Sequence, residues 1–211
     1  MLAMGKGPDL RYERKLWRAG VEAVAGVDEA GVGPMAGPVV AAAALFPPEL
    51  FIKGVNDSKK LTPERRESLY EPIREKALSI GVGIVDVDEI DRLNIYWAAM
   101  LAMKRALGAM APQPAHVLVD GRAIPGLVLP QTRIVGGDRR SFCIAAASIV
   151  AKVTRDRMMA EYDERFPGWG FAEHKGYCTP EHLELLRTLG PSPIHRRSFA
   201  PVAAVLQMKL L

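Results

Sequence analysis

Three aspartates and a glutamate stand where stretches that read as β-strands run out: Val27 leads into Asp28-Glu29, Val119 into Asp120, and Val135, after two glycines, into Asp138. Ligands of open α/β sheets bind beyond strand ends, so acids far apart in sequence can meet there. Four carboxylates in one place would repel one another until some took up protons, and a divalent cation removes that conflict. With no histidine or cysteine beside them in sequence, an all-oxygen site suits Mg²⁺ or Mn²⁺ rather than zinc. Each acid alone is better explained by a turn or an arginine partner; the coincidence of four carries the metal reading. Successive side chains on a regular strand face opposite ways, so Asp28 and Glu29 share a metal only if the strand bends, a freedom that Gly31 and Gly33 offer.

Other segments suit a polyanionic substrate. The run Gly31-Val32-Gly33-Pro34-Met35-Ala36-Gly37 resembles a dinucleotide loop superficially, but Pro34 and Pro38 lead into another apolar strand instead of the helix such a loop must open. Close backbone approach to a sugar or a metal-bound phosphate fits better, with a plain tight turn as the alternative. Lys59 and Lys60 follow a turn and precede a helix, which suits a phosphate, although a solvated loop would look the same. Ser148 and Lys152 share a helix face and can point towards a polyanion, whereas Arg155 and Arg157 read as surface charges. Tyr177, flanked by His174, Lys175 and Gly176, can pack on a sugar or base while Lys175 meets phosphate; a tyrosine at the core edge is the competing account. His174, Cys178, His182 and His195 look like a zinc set, but Gly176 and Pro180 break the regular spacing one helix would need. No serine or cysteine sits in a triad setting.

The elements that must position these residues alternate for most of the chain. Tyr12 to Ala19 suits a short amphipathic helix, and buried strands are expected over Ala23 to Val27 and Val39 to Phe46. Thr62-Pro63-Glu64-Arg65 caps a helix to about Lys76; Ser79 to Val87 reads as a strand and Asn94 to Met110 as a long apolar helix. Short strands over His116 to Val119 and Thr132 to Val135 precede one long helix from Ser141 to Arg165. Only helices follow, from Thr179 to Leu189 and from Phe199 to Leu210. With 211 residues, 49% hydrophobic and 25% charged, the chain has ample material for a core and is expected to be one domain, residues 1–211, with a helical C-terminal part at about 179–211. A net charge of +4 favours an anionic partner only mildly. Two cysteines cannot form a disulfide framework, and neither a membrane span nor a leader is apparent, so a monomer in the cytoplasm is expected.

GVDEAGVGPMAGPVVAAA, DSKKLTPERRE, LNIYWAAMLAM, VLVDG, GGD with AAASIVAKVTRDR, and HKGYCTPEH with HRRSFAPV, in this order from about Glu13 to Val202, closely resemble bacterial ribonuclease HII. The resemblance implies an α/β, ribonuclease H-like mixed sheet flanked by helices, with a helical C-terminal part closing over the duplex. It implies a two-metal endonuclease that cuts RNA in RNA/DNA hybrids and cuts 5′ to a ribonucleotide embedded in DNA, leaving 3′-hydroxyl and 5′-phosphate ends. The motifs place Asp28, Glu29, Asp120 and Asp138 on Mg²⁺ or Mn²⁺, and Gly31, Val32, Gly33 and Tyr177 at the ribonucleotide. Where the family usually has Gly-Arg-Gly this chain has Gly31-Val32-Gly33, so backbone contacts to a 2′-hydroxyl survive but a side-chain contact to phosphate does not. Gln207-Met208-Lys209-Leu210-Leu211 resembles the peptide by which bacterial repair enzymes dock on the sliding clamp. A non-catalytic hybrid-binding module and a dinucleotide-dependent enzyme are the readings from other classes; the first has no need of four strand-end acids, and the second lacks its helix.

Overall fold

A computed structural model describes residues 7–208. Helix α1 (Arg11–Trp17) precedes the antiparallel strands β1 (Val24–Ala30) and β2 (Val39–Leu45), helix α2 (Pro63–Lys76) and strand β3 (Ser79–Val85). Helices α3 (Val87–Leu93) and α4 (Ile95–Gly108) then lead to strands β4 (His116–Asp120) and β5 (Gln131–Ile134) and the long helix α5 (Phe142–Arg165). Short α6 (Phe171–His174), α7 (Pro180–Leu189) and α8 (Ala200–Met208) complete the described chain, with one-turn 3₁₀ helices at Ser58–Lys60 and Gly137–Arg139.

The sheet order is β3-β2-β1-β4-β5. The first three strands form an antiparallel meander, and β4 and β5 join parallel to β1, so the sheet is mixed. Alternation sorts β1 and β2 onto two layers. Ala25, Val27, Val39, Ala41 and Ala43 pack against α4 residues such as Ala98, Ala102 and Ala106. Ala42, Ala44 and Phe46 pack on the other face against α5, with α2 outside it through Leu69, Tyr70 and Ile73. Small residues permit unusually close layers. An added Cβ at Gly26 of β1 would stand 2.2 Å from the Cys143 backbone, so strand and α5 meet backbone to backbone.

Caps set the helix starts. Thr62 Oγ1 accepts from the Arg65 amide, and Pro63 opens α2 as expected. Asn94 Oδ1 accepts from the Tyr96 and Trp97 amides at the start of α4. The sequence pattern missed α3: Asp86 caps it by accepting from the Glu89 amide, ending β3 before Val87. Buried Glu13 reaches from α1 to accept from Ser141 Oγ at 2.6 Å and the Cys143 amide at 3.0 Å, fixing the N-terminus of α5. No described helix is long and apolar enough to cross a membrane.

Candidate active site

Strand β1 does not stop at Val27. It continues through Asp28 and Glu29 to Ala30 because β2 pairs with it that far, Glu29 standing opposite Ala41. The parallel pairing with β4 ends earlier, at Val27 opposite Val119, so Asp28 and Asp120 emerge side by side on the face that carries α5. Asp138, in the 3₁₀ turn that leads into α5, completes the group. One carboxylate oxygen from each of Asp28, Asp120 and Asp138 lies within 4.8 Å of the others. Asp120 Oδ1 accepts from the Gly137 amide at 2.6 Å, tying the β4 acid to the turn that presents Asp138. Glu29 is outside that close group, although the charges of Asp120 and Lys59 act on it. It lines a cleft with Val32, Tyr96, Asp120 and Arg122.

These acids are poorly neutralised within the protein. Burial, then the charges of Glu29 and Asp120, raise the Asp28 carboxyl well above its ordinary range. Burial and Asp120 likewise raise Glu29, opposed by Lys59, and burial and Asp120 raise Asp138, opposed by Lys59 and Arg139. The nearest cations are not tight partners: Lys59 Nζ lies 4.0 Å from Asp138 Oδ2, and Arg139 Nε lies 3.8 Å from Asp138 Oδ1. A buried, all-oxygen, under-neutralised cluster fits hard divalent cations.

On the opposite side of Glu29 a cleft of about 130 Å³ is lined by Gly31, Val32, Gly33, Ser58, Lys59, Lys152 and Tyr177. The sequence-predicted glycine loop, tyrosine and two of the lysines therefore meet beside the acids. Tyr177 is 45% exposed, with Lys152 Nζ 5.7 Å from its ring centre. Lys152 also binds Asp156 at 2.7 Å. Lys175 borders a neighbouring groove with Lys152, Arg66 and Arg157, and Lys60 is exposed at the end of the Ser58–Lys60 turn. Ser148 is not brought to this surface: it is buried, and its hydroxyl donates to the Ala145 carbonyl.

One sequence expectation is corrected here. Arg157 is a surface charge paired with Glu67, but Arg155 is fully buried. Arg155 donates to the carbonyls of Pro38, Ala36 and Lys175 at 2.9, 3.0 and 2.9 Å. Arg196, which the sequence pattern did not single out, is buried against the same loop. The histidines form a hydrogen-bonded chain, with no zinc cage among the described residues. His182 Nδ1 donates to the Tyr177 carbonyl at 2.8 Å, His182 Nε2 meets His195 Nε2 at 3.0 Å, and His195 Nδ1 accepts from the Ser192 amide at 3.0 Å. Burial pushes His182 down to about 4 and His195 down to about 3, so both are neutral and their ring nitrogens are used in positioning Tyr177. Cys178 is exposed.

The glycine loop passes into β2, not into a helix, which removes the dinucleotide reading. The family model for ribonuclease HII matches residues 25–202, which include all four acids, the loop and Tyr177. The chain belongs to the ribonuclease HII family. A ribonuclease HII from Geobacillus kaustophilus is 56% identical over 198 residues, covering 94% of this chain and 76% of that protein. The crystal structure of ribonuclease H2 from Pyrococcus horikoshii superposes with a TM-score of 0.76 at 28% identity, covering 88% of this chain and 97% of that one. RNase HII from Archaeoglobus fulgidus, solved as a complex with PCNA, superposes with a TM-score of 0.62 at 26% identity, covering 86% and 96% of the two chains. The fold is thus ribonuclease H-like, and this ribonuclease HII is a metal-dependent endonuclease acting on the RNA of RNA/DNA hybrids.

Proposed function

We propose that this ribonuclease HII also cuts DNA duplexes 5′ to an embedded ribonucleotide, leaving 3′-hydroxyl and 5′-phosphate ends, as one catalytic domain acting without a second subunit. The observation that supports this most is the gathering of Asp28, Asp120 and Asp138 beside a cleft walled by the Gly31–Gly33 loop and Tyr177. Asp28, Asp120 and Asp138, with Glu29 beside them, would hold Mg²⁺ or Mn²⁺. Divalent cations held there supply an acidified water for attack and charge neutralisation for the phosphate and leaving oxygen. The protein's own residues do the placing. Lys59 offers its ammonium to a phosphate next to the acids, and Tyr177 packs on a sugar at the ribonucleotide junction. Lys60, Lys152 and Lys175 attract the backbone more diffusely. Discrimination against DNA requires a contact to the 2′-hydroxyl, for which the loop backbone stands ready.

The test is cleavage of end-labelled duplexes, one with a single ribonucleotide and one an RNA/DNA hybrid, in Mg²⁺ and in Mn²⁺. Cuts 5′ to the ribonucleotide with 3′-hydroxyl ends are expected. Binding of both duplexes without cuts in either metal would instead support the non-catalytic module.

Val32 is exposed and borders the clefts on both sides of Glu29, so a longer side chain from this position reaches substrate. Val32→Arg adds a charged phosphate contact, worth about 1.5–3 kcal/mol. The Michaelis constant on the single-ribonucleotide duplex should fall about tenfold, with a salt dependence steeper by one phosphate. No change in either quantity would mean that Lys59, Lys60 or Lys175 compensates or that the loop meets substrate through its backbone alone, which changing each lysine in turn in the arginine variant distinguishes.

Of the Gln207–Leu211 peptide, Gln207 and Met208 close α8, and the last three residues are outside the described part of the chain. Gln207 and Met208 are exposed. The likeness to a chain solved with PCNA supports clamp docking as a proposal. Deleting residues 207–211 should leave cleavage of short duplexes unchanged and abolish pull-down by a bacterial sliding clamp; absence of clamp binding by the full chain would end it.

A further inference from the structure

Arg196 is fully buried and has no carboxylate partner within salt-bridge distance among the described residues. Its guanidinium is instead spent on backbone carbonyls. Nη2 donates to Gly31 at 2.6 Å and Gly37 at 2.8 Å, Nη1 to Pro34 at 2.6 Å and Val32 at 3.2 Å, and Nε to Gly37 at 2.9 Å. Arg155 takes the carbonyls of Ala36 and Pro38, and the Arg196 amide takes that of Met35 at 2.9 Å. Among the described residues, every loop carbonyl from Gly31 to Pro38 except that of Gly33 is therefore turned inward onto these two arginines.

That orientation has a necessary counterpart. In a trans peptide the N–H points opposite to the C=O. With the Gly31 and Val32 carbonyls aimed at Arg196, the amides of Val32 and Gly33 face away from it, and neither donates to a described residue. Both residues are exposed and line the cleft with Glu29, Lys59 and Tyr177. Consecutive outward amides over a buried cation form a receptor for an oxygen bearing lone pairs. Gly31 makes the inward turn possible: its φ is +93°, and a Cβ there would lie 2.2 Å from Arg155 Nε.

We propose that Arg196 is a positioning residue of the active site, which turns the Val32 and Gly33 amides outward to receive an oxygen of the substrate's sugar or phosphate at the scissile step. The proposal rests on the functional reading above. Lysine cannot replace it, because one ammonium with three donors cannot span carbonyls that a planar five-donor fork reaches together.

The experiment has a binding arm and a kinetic arm. In ¹H–¹⁵N spectra of the whole chain in EDTA, where metal-dependent cleavage is off, a duplex with one ribonucleotide should shift the Val32 and Gly33 amide resonances. Arg196→Lys should lose those shifts, with kcat down about 50-fold and KM within about threefold, because lysines outside the loop still bind the duplex while the reacting sugar is misplaced. If Arg196→Lys does not fold, Arg196→Gln carries the same readouts. The proposal is overturned if the duplex leaves both amides unmoved in the wild type. It is overturned equally if a folded variant keeps the shifts and a kcat within about threefold of wild type. A wild type that cuts no ribonucleotide-containing duplex would instead sink the nuclease reading, while the amide shifts would still decide the role of Arg196.

Discussion

Asp120→Asn is expected to lower kcat by at least about 1,000-fold in Mg²⁺ while leaving duplex binding within about threefold; the rate loss corresponds to about 4 kcal/mol of transition-state stabilisation. The change is nearly isosteric. An asparagine Oδ1 still accepts from the Gly137 amide, so the link to the Asp138 turn persists. What disappears is one negative charge from a cluster that has few cations of its own. That charge is a cause, after burial, of the raised carboxyls of Asp28, Glu29 and Asp138. Without metal the same substitution should therefore stabilise the fold, by about 1 kcal/mol after allowance for solvent screening, or roughly 2–4 °C in Tm.

The pH dependence of that gain has a definite sign. Carboxyls raised above their unfolded values hold extra protons in the native state; the stability this lends is complete below the unfolded pKa and is lost as pH rises through the folded one. The wild type in EDTA thus weakens from acid towards neutral pH, and the variant weakens less. Thermal melts in EDTA across that range, alongside turnover in Mg²⁺, check both halves. Turnover close to wild type would remove Asp120 from the catalytic set.

Tyr177→Ala should reduce kcat at a single embedded ribonucleotide about 30-fold and weaken duplex binding less than about threefold, since loss of one stacking contact costs about 2 kcal/mol at a position that orients the sugar. The ring stands beside Gly33: a Cβ added there would come within 3.9 Å of Tyr177 Cε1. Truncation spares the scaffold, because Tyr177 is held by its main chain. Its amide donates to the His174 carbonyl at 2.9 Å and its carbonyl accepts from His182 at 2.8 Å. Equal losses in rate and binding, measured on the same duplex, would reduce Tyr177 to a structural role.

The strands, the capped helices and the convergence of acids were legible because each rests on local chemistry: apolar runs, Thr62-Pro63, and carboxylates after strands. What was not legible depends on partners distant in sequence. Where β1 ends is decided by β2, and which acids adjoin is decided by the Val27–Val119 register, neither of which hydrophobic pattern encodes. Helix α3 was hidden because Asp86 sits in VDVDEID, where alternation mimics a continuing strand. Arg155 and Arg196 escaped for another reason. An arginine neutralised by carboxylates leaves acids in the sequence to look for, whereas one satisfied by carbonyls leaves no compositional trace.

The contact at Gly26 divides the enzyme by how often its parts open. With no side chain between β1 and the start of α5, neither can separate from the other without breaking both, so they must open as one cooperative unit. The backbone that carries Asp28, and the turn before α5 that carries Asp138, belong to that unit. In hydrogen exchange, amides of β1 should be released only by global unfolding, whereas the exposed, unbonded amides of Val32 and Gly33 should exchange without any opening. The acids then stay assembled over many cycles of substrate arrival and departure, while the amides of the neighbouring loop stay open to solvent throughout.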